Sequence, residues 1–181
     1  MQAPAMRRTA PLATLVLLLA MGSSARAQLD LGGLAKKAAG EVGNSARDKA
    51  VKDVNAQLLA EGRKNQCSFK TDSDELMPGC DQKLKKLASA LVEAKKRLSV
   101  AGVSNFKFEV SGHTDTVGKP DYNKKLSERR AAAIAKEMTA RGVGGNEIVA
   151  VGLGSERPVV KPDNTEAKRA KNRRYEIQIR F

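Results

Sequence analysis

Apolar residues in the second half of the chain recur with two clear periods, which assign most of the elements. Leu84, Leu87, Leu91, Ala94 and Leu98 follow a three-four spacing, and Gly102 ends the run, which predicts a helix opened by Asp81. Phe106, Phe108 and Val110 then alternate with Lys107, Glu109 and Ser111, the pattern of a half-buried strand. A second helix is predicted from about Asp121 to Arg141, closing at Gly142. The stretch "NEIVAVGLG" holds a further strand, and Asn164 opens a short basic helix, "NTEAKRAKNRR". The chain ends in "YEIQIRF", with Tyr175, Ile177, Ile179 and Phe181 on one side and Glu176, Gln178 and Arg180 on the other. Upstream, "QCSFK" (Gln66 to Lys70) reads as a short first strand with Cys67 and Phe69 on one face.

Two of these strands alternate strictly, whereas a parallel sheet covered on both faces carries continuous apolar runs. The expected fold is therefore α+β: a two-layer sandwich in the order β-α-β-α-β, short α, β, with helices on one face of the sheet and water on the other. The last strand, alternating and ending in Phe, resembles the final strand of an outer-membrane barrel. A barrel needs at least about eight such strands, and the middle of this chain is spent on amphipathic helices.

Residues 28–64 behave differently. Leu31, Leu34, Ala38, Val42, Ala46, Val51, Val54 and Leu58 recur at three to five residues, while Gly32, Gly33, Gly40 and Gly43 weaken the first half. This predicts a loosely formed amphipathic helical extension or linker, open to an outer-membrane or envelope partner. The first 27 residues read as a secretory signal peptide: Arg7 and Arg8, the apolar run Leu12 to Met21, then the small-x-small "ARA" at Ala25 to Ala27. The organisation is thus signal peptide 1–27, extension 28–64 and folded domain 65–181.

Composition narrows the function. Loss of the leader with its three arginines takes the formal net charge from +13 to +10, which favours anionic partners. Nucleic acid is not among them, because export argues against it and the chain has 4 Phe, 2 Tyr and no Trp for base stacking. Two cysteines, Cys67 and Cys80, in an exported chain suggest a disulfide. A metal site would need more ligands than two cysteines and one distant histidine provide. No cofactor is expected. An enzyme is not expected either, since His113 is the only histidine and there is no nucleophile elbow or phosphate loop.

The candidate chemistry is one charged pair. Leu126, Ile134 and Met138 lie on one helical stripe at steps of four, and Arg130 occupies that stripe too, with Arg129 about 100° away. A buried arginine requires a partner. Asp115 sits in "SGHTDTVG", beyond the carboxyl end of a predicted strand, where ligands of open α/β sheets tend to lie. Asp115 and Arg130 can simply pair with each other. Alternatively they can receive the ammonium and the carboxylate of a free amino-acid end.

Four ordered motifs carry a resemblance: "GHTDTVG", "YNKKLSERRAAAI", "GLGSERPVV" and "AKRAKNRRYEI". Over about residues 66–181 the chain resembles the OmpA-like domain, found at the C-terminus of outer-membrane protein A, in the peptidoglycan-associated lipoprotein and in flagellar stator proteins. The resemblance implies a periplasmic domain that binds peptidoglycan non-covalently through the diaminopimelate of the stem peptide. It assigns the key pair to Asp115 and Arg130, and it implies that Thr114, Asn123, Leu126 and Arg173 line the same pocket. A homodimer and an outer-membrane association are compatible with it. The competing reading is a basic periplasmic adaptor that binds anionic polymers or membrane surfaces without specificity.

Overall fold

The computed structural model describes residues 31–181, and the expected signal peptide lies outside them. The described residues form four α-helices and three strands, with one 3-10 turn at Gly145–Glu147: α1 (Leu31–Lys64), α2 (Asp81–Val100), β1 (Lys107–Gly112), α3 (Pro120–Ala140), β2 (Ile148–Gly152), α4 (Glu166–Asn172) and β3 (Tyr175–Arg180). The sheet order is β2-β1-β3, with β1 parallel to β2 and antiparallel to β3. This is the α+β class that the alternation predicts.

Register builds the inner face in rows. Ile148, Phe108 and Ile179 form one row, and Ala150, Val110 and Ile177 the next. Gly152, Gly112 and Tyr175 complete it. The aliphatic rows meet the stripe of α2, where Leu84, Leu87, Leu91 and Leu98 are buried. The outer face carries Glu109, Gln178 and Arg180, as expected for the wet side, with Arg180 Nε 3.3 Å from Glu109.

The paired glycines set how closely α3 approaches. A Cβ on Gly112 would stand 2.1 Å from the carbonyl oxygen of Ser127, and one on Gly152 2.5 Å from that of Lys124. No side chain fits there, so the first half of α3 lies directly on the ends of β1 and β2. Pro120 starts the helix, its fixed φ suiting the first helical position, and Asp121 sits in the first turn.

Two local expectations are corrected. "QCSFK" is not a strand of the sheet. It forms one arm of a small hairpin whose only ladder pair is Phe69 with Leu76. The place beside β3 is taken instead by side-chain amides. Gln66 donates to the Tyr175 carbonyl (2.7 Å) and accepts from its amide (3.2 Å), and Asn55 accepts from the Ile179 amide (2.7 Å). Asp81 does not cap α2; Cys80 is the N-cap residue and Asp81 lies in the first turn. Packing also joins the expected extension to the expected domain across residues 64 and 65. Val54 and Leu58 of α1 are fully buried in the same core as α2 and the sheet, while residues 43–49 are exposed.

Candidate functional site

The carboxyl end of β1 feeds a loop whose first residues, His113 to Asp115, are buried, while Thr116 to Lys119 are exposed. The His113 amide donates to the Arg174 carbonyl and the Thr114 amide to that of Gly154, both at 2.9 Å. The chain is thereby threaded between the ends of the two neighbouring strands. Asp115 then shapes the turn, its Oδ1 accepting from the Val117 amide at 3.1 Å. Asn123 of α3 donates to the carbonyls of Val117 (2.9 Å) and Asp115 (3.3 Å), tying the loop to the helix. From the far side Asp163 accepts from both the amide and the hydroxyl of Thr116. These bonds, with a further one from Asn172, hold the Asp163 carboxyl down at about 2.

Asp115 pairs with an arginine, but not with the one on the helical stripe. Its Oδ2 accepts from Arg173 Nη1 at 2.7 Å, and the same guanidinium also reaches Glu166. Against the opposing effect of burial, these two carboxylates stabilise the charged form of Arg173.

Arg130 is only 8% exposed, as its helical phase predicts. Within the chain its hydrogen-bond partners are carbonyls rather than an acidic side chain. Nε donates to the Ser73 carbonyl at 2.8 Å and Nη2 to the Lys70 carbonyl at 3.3 Å. The guanidinium carbon lies 5.1 Å from the centre of the Phe69 ring, a cation–π contact. Among the described residues no carboxylate forms an ion pair with it. Burial lowers the Arg130 pKa, nearby Arg173 lowers it further, and Asp72 and Asp115 offset part of this through space. Arg129, one position on, faces outward beside Asp74 at 3.7 Å.

Thr114, Asp115, Asn123, Leu126, Arg130 and Arg173 all line one cavity of about 630 Å³. The six positions named from the sequence thus converge. The hairpin wall, with Phe69 and Asp72, was missed, as were Tyr122 of α3 and Glu166 of α4. Tyr122 could have been read from the same helix as Arg130. The hairpin could not, because its link to the site runs through backbone carbonyls, which leave no trace in residue type. His113 does not line this cavity; burial first, then Arg174, push its pKa down to about 4, so the ring is neutral. Among the described residues no group of His, Cys, Asp or Glu is placed to hold a metal ion. A larger groove of about 750 Å³ runs between α1 and Phe181, but no buried charged groups converge on it.

The sequence profile of the OmpA family matches residues 68–173, which contain the whole cavity wall. The chain belongs to the OmpA family. Among its relatives, outer-membrane lipoprotein YfiB of Pseudomonas aeruginosa is 35% identical over 118 residues, covering 65% of this chain and 64% of that protein. Peptidoglycan-binding protein ArfA of Mycobacterium bovis is 34% identical over 112 residues, covering 62% of this chain and 31% of ArfA. Outer membrane porin F of Pseudomonas fluorescens is 50% identical over 72 residues, covering 39% of this chain and 22% of the porin. The chain therefore spans less than two thirds of each of these relatives. Among solved OmpA-like folds, the peptidoglycan-associated lipoprotein of Burkholderia pseudomallei superposes with a TM-score of 0.52 at 28% identity, covering 64% of this chain and 89% of that one. The C-terminal domain of Helicobacter pylori MotB gives 0.53 at 21% identity, covering 64% of this chain and 84% of that one, a likeness of fold alone. Among the described residues no helix is long and apolar enough to cross a membrane.

Proposed function

We propose that this OmpA-family domain holds cell-wall peptidoglycan non-covalently in the bacterial envelope, by gripping the free amino-acid end of diaminopimelate in the stem peptide. The observation that carries this is Arg130: a buried guanidinium without an acidic partner, in the same cavity as a buried aspartate. Carbonyls occupy the Nε–Nη2 edge, which leaves the Nη1 end to meet a ligand carboxylate. Asp115 keeps lone pairs beyond those used by Arg173 and Val117, and these suit an ammonium. A neutral sugar would leave both charges unmatched, which is unfavourable in a buried site. The peptidoglycan-binding protein ArfA and the peptidoglycan-associated lipoprotein of Burkholderia, both similar to this chain, support the same class of ligand. The reading leaves room for an outer-membrane or envelope protein partner that engages the 28–64 extension, of which residues 43–49 are exposed.

The test is co-sedimentation with purified, protein-free sacculi. Arg130→Ala is expected to lose about 2–5 kcal/mol of binding, roughly 30-fold or more. Arg130→Lys is expected to fail as well, because a compact ammonium cannot reach the separated positions of two carbonyls and a ligand that the planar guanidinium fork spans. Asp115→Asn is expected to fail too. Arg129→Ala, facing outward, is the control. Wild-type retention by folded Arg130→Ala would refute the proposal.

A further inference from the structure

Cys67 and Cys80 are paired in the structure, with Cα atoms 5.6 Å apart, and they close a loop that contains every group holding Arg130 in place. Phe69 supplies the ring, Lys70 and Ser73 supply the carbonyls, and Asp72 faces the cavity from the same loop. Within the loop the chain turns sharply: Asp72 has φ +51°, and the Lys70 amide donates to Glu75 and that of Met77 to Ser68, both at 2.9 Å. Those two bonds and the Phe69–Leu76 pair are the hairpin's own ladder, and so short a hairpin is marginal without an added constraint. The disulfide supplies that constraint at its base.

We propose that the Cys67–Cys80 loop is the positioning element of the site, and that ligand recognition by Arg130 requires the disulfide to be formed. This rests on the ligand reading above and adds a control to it. The loop fixes which edge of the guanidinium is free. In the oxidised protein the Nη1 end is presented to the cavity with its rotamer set by two carbonyls and a ring. Once the bridge is reduced, hairpin and guanidinium lose their common anchor and the entropic cost of ordering both falls on ligand binding. Binding therefore reports the redox state of the compartment. A chain retained in a reducing environment would be folded but weak for its ligand. Phe69 is a specificity determinant on the same grounds, since a flat ring orients a flat cation.

The experiment follows the Arg130 Nε–H resonance and sacculus binding together, using the full chain in oxidised form, in reduced and alkylated form, and as Cys67→Ser/Cys80→Ser. The oxidised protein is expected to show a slowly exchanging Nε–H signal. Reduction is expected to abolish it and to weaken binding about tenfold, the loss of hydrogen bonds to a charged group. In Arg130→Ala, reduction is expected to make no further difference to residual binding, whereas a merely structural disulfide would weaken both proteins by the same factor. Phe69→Leu keeps the bridge and is expected to bind about threefold less or worse, with Phe69→Tyr restoring affinity. Equal binding by oxidised and reduced protein, or parity of Phe69→Leu with wild type, would overturn the inference. An oxidised protein with a protected Nε–H that fails to sediment with sacculi would instead remove the ligand reading and leave the positioning role standing.

Discussion

At the residue scale the site is a matter of which charge meets which. Helical phase alone places Arg130 inside, and the end of β1 places Asp115 beside it. Phase cannot say that Asp115 closes on Arg173, 58 residues downstream, and that pairing frees Arg130 from acid. The resemblance supplied Arg173 and Thr114, which periodicity does not single out. His113 illustrates the opposite limit, because a histidine beside an aspartate reads as acid–base chemistry. The fold instead buries the ring at 2% exposure and depresses its pKa from 6.5 to about 4. The unfolded chain binds a proton below about 6.5 that the folded chain refuses until about 4. Stability should therefore fall as pH drops through that window, by up to about 3 kcal/mol. The low Asp163 pKa acts only below this range. Urea melts at pH 7 and pH 4.5 should show the drop in wild type, and a folded His113→Gln variant should flatten it. An unchanged slope in that variant would assign the acid sensitivity elsewhere.

At the element scale, helix positions, the strand alternation of β1 and β3, and the stops near Gly102 and Gly142 were legible, because each is a local period with a local terminator. Two elements were not. Cys67 and Phe69 alternate as a strand would, but a strand needs a neighbour, and the edge of β3 was already occupied by Gln66 and Asn55. α1 looked separable as a whole because the glycines of its first half and its sparse apolar stripe describe the helix alone. Val54 and Leu58 count only against α2 and β3. The packing makes a sharp forecast for truncation. Removal through residue 64 should unfold the domain, and Leu58→Ala in the full-length chain should cost about 3 kcal/mol. Circular dichroism melts decide it, and a cooperative, native-like melt from residues 66–181 alone would show that α1 is dispensable.

For the whole molecule, the formal net charge of +13, or +10 if residues 1–27 are removed as expected, offers a simpler account of wall binding, through counter-ions alone. Most ion pairs of the described residues are exposed, so bulk attraction of this kind should be screened within about 10 Å at 0.1 M salt. Arg130 and Asp115 are buried and less open to screening. Binding to sacculi should thus keep a salt-resistant component that heparin binding lacks, and loss of both together in moderate salt would favour charge alone. The treatment of β3 bears on a different property of the molecule, its tendency to remain single. An open strand edge is a template for another chain. Here the outward amides of Tyr175 and Ile179 are each answered by one carboxamide, from Gln66 and Asn55, and neither residue touches the ligand cavity. Two side chains thereby stand guard over the protein's solubility. Asn55→Ala combined with Gln66→Ala should leave sacculus affinity intact while the protein begins to polymerise through β3 on concentration, seen as rising light scattering with thioflavin-positive material. A double variant that stays monomeric at the same concentration would mean that α1 covers the edge by bulk alone.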